Sequence, residues 1–192
     1  MRAYFQAGSI SGPVLLIIPA PYKRPYIWDL SPDLSVVRQC VRKGFRVYLL
    51  EWLAPTEAED GLGLTHYAFH IPAAALEVIE AQTGISAPVL AGHSLGGTFA
   101  AIFAALDPNR VSRLVLVDAP LAFGEDGGPI ARAIKGLPHA RHIRNIVGSP
   151  VLGSTINFLA AVTAPEVFQL ERWVDLGASI VSPETYALHL RL

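Results

Sequence analysis

Val89-Leu90-Ala91-Gly92-His93-Ser94-Leu95-Gly96-Gly97-Thr98-Phe99-Ala100 is the stretch on which the reading of this sequence turns. The short apolar run at 88–91 predicts a buried strand, and the apolar stretch at 95–106 predicts a helix ending at Asp107, ahead of Pro108. Between them stands Gly92-x-Ser94-x-Gly96. Chance produces that pattern often, but here a strand runs directly into it and a helix directly out of it. Such a turn forces the serine into a strained backbone conformation, and small neighbours remove the side chains that would clash. The helix also aims its N-terminal dipole at the serine. The plain alternative is a serine in a Gly-rich turn whose glycines serve packing alone. The flanking elements favour a nucleophile elbow made of Gly92, His93, Ser94, Gly96 and Gly97.

Outward from the elbow, short apolar runs alternate with helical segments, which predicts a doubly wound, mostly parallel sheet with helices on its faces. Strands are expected at 14–18, 45–50 and 113–118, with 3–6 able to form one more. One helix is expected to start at Ser31, with Pro32 in its first turn and Gly44 past its end, and to turn Leu34, Val37 and Val41 to the sheet. A second, at 66–82, is expected to bury Tyr67, Ile71, Ala74, Ala75 and Val78, with Pro72 kinking or delaying it. After Pro120 the strand pattern stops. Residues 124–128 suggest a loop; Thr163 with Glu166, and Ser182-Pro183, suggest helix starts. The expected division is a partial α/β core at 1–121 and a partial helical cap at 122–192, with the fold cut at both ends.

Composition narrows the function classes. The formal charge is -1, from 15 basic and 16 acidic residues, which gives no electrostatic case for nucleic acid or an anionic membrane. Hydrophobic residues make up 52% of the chain, yet the longest unbroken apolar run, 99–106, is far shorter than the ~20 residues of a spanning helix. No secretory signal pattern opens the sequence. The single cysteine, Cys40, allows no internal disulfide and suits a reducing compartment, so a cytoplasmic location is expected.

The elbow, the strand-helix alternation and the cap resemble the α/β-hydrolase fold. That resemblance implies an oxyanion hole made of the Leu95 N–H and a second N–H from the loop after the 14–18 strand. Pro19 and Pro21 have no N–H, so Ala20 or Tyr22 must supply it. It also implies the chain order Ser, then Asp or Glu, then His. The strands that would carry the acid and the base are not evident here, so both are expected beyond Leu192. Asp118, ending a strand on the correct edge, is the one candidate for a displaced acid, although such an Asp commonly just satisfies loop N–H groups. His66, His70, His139, His142 and His189 suggest surface or capping roles, and His93 packing or the oxyanion side. No cofactor and no metal are expected.

Arg24-Pro25-Tyr26-Ile27-Trp28-Asp29-Leu30-Ser31-Pro32-Asp33-Leu34-Ser35-Val36-Val37, followed by Gly44-Phe45-Arg46-Val47-Tyr48 and Glu51-Trp52, resembles poly(hydroxyalkanoate) synthases over about 14–120. Those enzymes transfer acyl groups from CoA thioesters, which implies an acyl-CoA or ester substrate and a homodimer or accessory subunit as partner. Two departures stand out: Ser94 occupies the place of the usual cysteine, and Thr65 and His66 stand where paired acidic residues are usual. The alternatives are a serine carboxylic-ester hydrolase without polymerase activity, and a non-catalytic fragment that binds acyl ligands or a partner.

Overall fold

Val14–Ile18 is five consecutive apolar residues, all of them buried, as a strand covered on both faces must be. It forms β2 of a five-stranded sheet whose other members are β1 (Arg2–Tyr4), β3 (Arg46–Leu49), β4 (Val89–His93) and β5 (Arg113–Val117), in the order β1-β3-β2-β4-β5. Strands β2 to β5 pair in parallel, and β1 pairs antiparallel with β3. These features come from a computed structural model, which describes residues 1–5, 11–21 and 25–124, with Gly127 and the single positions His142, Thr155 and Gly177. The chain divides into two units, Met1–Pro120 and Leu121–Leu192. The cap expected over 122–192, with its helix starts at Thr163 and Ser182, falls almost wholly outside the described residues.

Alternation along β2 sorts the core of the first unit into two layers. Val14, Leu16 and Ile18 pack with Leu76, Ile79, Leu90, Ala100 and Phe103, which belong to α2 (Ile71–Thr83), β4 and α3 (Leu95–Leu106). Leu15 and Ile17 pack with Trp28, Val37, Val47, Leu49 and Ala91, under α1 (Val36–Arg42). From β2 the chain steps to β3 on one side, then crosses back to β4 on the other. That reversal makes the C-terminal ends of β2 and β4 a topological switch point, the place where open α/β sheets have the crevice that holds their sites.

Two helices depart from expectation. α1 is capped by Ser35, not Ser31: Ser35 Oγ accepts the Arg38 N–H at 2.9 Å, while Ser31 Oγ accepts the Leu34 N–H at 3.1 Å in a separate preceding turn. Leu34 is accordingly outside the helix and 55% exposed, whereas Val37 is buried as expected. Gly44 does follow the helix end, at φ +87, its N–H donating to the Val41 carbonyl. In the second case a π-helical turn at His66–His70 precedes α2, with the Ile71 N–H bonded to the His66 carbonyl. Pro72 has no N–H for the Ala68 carbonyl and its ring crowds that turn, which favours the wider spacing. The buried face is Ala68, Pro72, Ala75, Leu76 and Ile79, so Ala75 is buried as expected, while Tyr67 and Ile71 are half-buried and Ala74 and Val78 are exposed. Among the described residues no helix is long and apolar enough to cross a membrane.

Candidate active site

β4 ends at His93, and the next residue, Ser94, turns the chain into α3 with φ 52 and ψ -130, a conformation that side chains on L-residues disfavour. Its backbone groups are all engaged. The Ser94 N–H donates to the Val117 carbonyl at 2.9 Å, and the Ser94 carbonyl accepts the N–H groups of Gly97 at 2.9 Å and Thr98 at 3.1 Å. Strand β5 and the first turn of α3 therefore hold the strained residue from both sides.

The glycines of the elbow serve close approach. A Cβ on Gly92 would stand 2.5 Å from Gly97 Cα and 2.7 Å from the Gly96 oxygen. One on Gly96 would overlap the carbonyls of Ile18 and Pro19, and one on Gly97 would stand 2.6 Å from Ala119 Cβ. Gly96 thus presses the start of α3 against the loop after β2. The result brings two candidate donors to the same crevice. Leu95 is the first residue of α3, so its N–H has no partner within the helix. Ala20, in the loop after β2, is fully buried, and its N–H has no acceptor among the described residues. Tyr22, the other sequence candidate, lies outside the described residues.

His93 turns away from this crevice, toward the layer under α1. Its ring meets Trp28 edge-on, with centroids 6.2 Å apart. His93 Nδ1 and Trp28 Nε1 are both buried without a hydrogen-bond partner, which costs about 1–3 kcal/mol for each group. His66 and His70 lie on the π turn, 6.1 Å apart between ring centroids, with Tyr67 and Phe69 as ring neighbours. Asp118 follows β5 directly, exposed and at φ 48. Since His93 and Val117 are register partners, Asp118 stands across from Ser94, one step past the strand ends. His139 and His189 lie outside the described residues.

Cys40 is half-buried on α1, in the opposite layer, and burial pushes its thiol up, so it offers no thiolate to the site. Nearby, burial would raise the Asp29 carboxyl, but hydrogen bonds from Arg38 (Nε to Oδ1, 2.8 Å) and Ser35 hold it below the usual range. That pair braces the start of α1, on the side of the fold away from the elbow crevice. Among the described residues no cluster of three or more His, Cys, Asp and Glu could hold a metal.

One contact that sequence reasoning did not single out joins the site to the aromatic layer beside it. The Trp52 indole N–H donates to the Pro19 carbonyl at 2.7 Å, within the loop that carries Ala20. Residue types alone give no hint of it, because the partners are 33 positions apart.

Residues 13–137 match the family described as the alpha/beta hydrolase fold. The chain belongs to the α/β-hydrolase family. Within it, the chain is similar to poly(3-hydroxyalkanoate) polymerase subunits PhaC. It is 36% identical to that of Haloferax mediterranei over 118 residues, which is 62% of this chain and 24% of the other. To the Allochromatium vinosum subunit it is 31% identical over 57% of this chain and 31% of the other. The match to the Thiocystis violacea subunit runs further, 93% of this chain and 50% of the other, at 23% identity. The chain thus spans between a quarter and a half of the length of these curated relatives. Among solved structures, the thioesterase domain from the curacin biosynthetic pathway superposes over 98% of this chain and 61% of its own, with TM-score 0.51 and 16% identity, a likeness of α/β-hydrolase fold.

Proposed function

We propose that this α/β-hydrolase is a poly(3-hydroxyalkanoate) polymerase-like acyl-transfer enzyme with Ser94 as its nucleophile. The observation that carries the proposal is the strained Ser94 backbone, φ 52 and ψ -130, held by β5 and by the first turn of α3 at the crevice between β2 and β4. In this reading Ser94 Oγ attacks the carbonyl of an acyl thioester or ester. Its proton passes to a histidine base that an Asp or Glu orients. This reading expects both beyond Leu192, with Asp118 the one candidate for a displaced acid among the described residues. The N–H groups of Leu95 and Ala20 hold the tetrahedral oxyanion, and collapse expels the CoA thiol or the alcohol as the acyl-serine ester forms. Water, or the hydroxyl of a second 3-hydroxyacyl unit, then takes the acyl group and Ser94 regains its proton.

Serine in place of cysteine favours a second reading, an ester hydrolase without polymerase activity. Exchange between two thioesters is nearly balanced in energy, whereas loading an oxygen ester from a thioester runs downhill and leaves less drive for chain transfer. The proposal includes a helical cap within residues 122–192, a cytoplasmic location, which the single thiol suits, and a homodimer or accessory subunit as partner. A non-catalytic fragment that binds acyl ligands or a partner remains the third reading.

Active-site labelling separates the three. In the protein as encoded, a fluorophosphonate probe is expected to label wild type and not Ser94→Ala, and acyl turnover is expected to vanish with the label. An unlabelled but folded wild type leaves the binding fragment. Ser94→Cys is expected to raise acyl-CoA turnover relative to oxygen-ester hydrolysis, since a thiolate forms more readily than an alkoxide near neutral pH. If neither form acts on any thioester, the ester hydrolase is the correct reading.

A further inference from the structure

Trp52 follows β3, and its indole N–H donates to the Pro19 carbonyl at 2.7 Å. The indole ring is held on two sides. It meets Phe99 edge-on (centroids 6.0 Å apart, 74° between planes) and Tyr67 at a tilt (6.1 Å, 49°). Phe99 belongs to α3, the helix that Ser94 opens, so a single side chain ties the loop after β2 to the nucleophile's own helix. On another side the Pro19 carbonyl lies so near Gly96 that even a methyl group there would collide with it.

The Pro19–Ala20 peptide is planar and trans, so its C=O and its N–H point in opposite directions. A clamp on the carbonyl is therefore also a clamp on the direction of the Ala20 N–H. That N–H is buried and has no acceptor among the described residues. Buried backbone donors without an acceptor are rare in folded proteins. A donor kept open and rigid is what a developing oxyanion requires, because no reorganisation is then needed at the moment of reaction.

We infer that Trp52 is a positioning residue for the oxyanion hole: by holding the Pro19 carbonyl it aims the Ala20 N–H at the reacting carbonyl oxygen. The inference rests on the nucleophile reading proposed above. Trp52 touches no substrate; it acts through one peptide plane. Without its N–H, the peptide keeps only its packing against Gly96, and the donor loses alignment with a charge that exists only in the transition state. The loss falls on kcat and spares KM.

The test is Trp52→Phe in the protein as encoded, which keeps ring contacts to Tyr67 and Phe99 and removes the donor. Ester-hydrolysis kcat and the rate of fluorophosphonate labelling at Ser94 are expected to fall about 10-fold, less than the roughly 100-fold that deleting an oxyanion donor costs, with KM nearly unchanged. A merely structural tryptophan would leave the labelling rate of the folded variant at the wild-type value, and that result overturns the inference. Should Trp52→Phe fail to fold, the wild type decides by NMR. Phosphonylation of Ser94 is expected to move the Ala20 amide proton downfield while the Trp52 indole proton stays protected from exchange. An unmoved Ala20 amide, or an indole exchanging at the solvent rate, overturns it. A wild type that resists labelling removes the nucleophile reading and the role of Trp52 together. A labelled wild type with an equally labelled Trp52→Phe removes only the role of Trp52.

Discussion

Two neighbouring strands end in the same unusual way: β4 runs into Ser94 at φ 52 and β5 into Asp118 at φ 48, and these are the non-glycine positive-φ residues among those described. Their surroundings differ. Ser94 is pinned by three backbone hydrogen bonds and by glycines that admit other backbone within contact distance. Asp118 is exposed, and the segment after it meets α3 through Ala119 at Gly97 and through the Thr98 hydroxyl, which donates to the Pro120 carbonyl at 3.0 Å. Asp tolerates left-handed backbone, because its short polar side chain can bond locally, whereas Ser94 at ψ -130 stands outside the left-handed region. A positive φ by itself therefore does not distinguish the two residues. The backbone packed around them does.

The comparison breaks first at Gly96. Gly96→Ala drives a methyl into the Ile18 and Pro19 carbonyls, which are backbone and cannot swing aside. A loss of about 3 kcal/mol or more is expected in chemical denaturation, the upper end of overpacking costs. A loss under about 1 kcal/mol would mean that α3 does not press on the loop after β2. Next, Ser94→Gly is expected to stabilise the fold by about 1 kcal/mol, raising Tm by roughly 2–4 °C, because glycine adopts this conformation without strain. Asp118→Gly is expected to stay within about 0.5 kcal/mol, since the strain relieved is small and the unfolded chain gains freedom. Equal gains at both positions would erase the distinction. His93→Phe, which keeps the edge-on contact with Trp28 and removes a buried unpartnered nitrogen, is expected to hold or raise Tm and to leave Ser94 labelling unchanged. A drop in labelling would move His93 into the oxyanion side of the site.

The smallest effect belongs to the brace of α1. The folded protein holds the Asp29 carboxyl below its ordinary value, so the contribution is fully present above the unfolded value near pH 4. It is lost as pH falls further, through the folded value. Arg38 is 52% exposed, so solvent screening keeps the pair's contribution small. Wild type and Asp29→Asn are expected to differ by that contribution near pH 7 and to converge in acid. A difference that persists when the carboxyl is protonated assigns the brace to packing.

The sheet and the strand-turn-helix around Ser94 were legible because each signal is contiguous. An apolar strand, Gly92-x-Ser94-x-Gly96 and an apolar helix specify one geometry between neighbours in sequence. Ser31 was a persuasive false start for α1, since Pro32 follows it; only the fold shows that Ser35 is the cap and that Leu34 faces outward. The face of α2 was read one position early, because Tyr67, Ile71, Ala74 and Val78 offer the same apolar spacing as the buried Ala68, Pro72, Ala75 and Ile79. The contacts of Trp52 with Pro19 and of Trp28 with His93 stayed hidden because each joins distant segments through a side-chain direction that the sheet sets.

The π turn at His66–His70 has a consequence for insertion and deletion. A helix that already carries a surplus residue can lose one there and return to ordinary spacing, leaving Ile71–Thr83 and its contacts in place. The surplus residue is taken up within the turn, so the segments on either side keep their directions and only the turn itself is rebuilt. Tyr67 lies inside that turn, against Phe99 and Trp52. A single codon removed at this point would thus spare the core of α2 and alter only the aromatic layer that Tyr67 shares with Trp52 and Phe99.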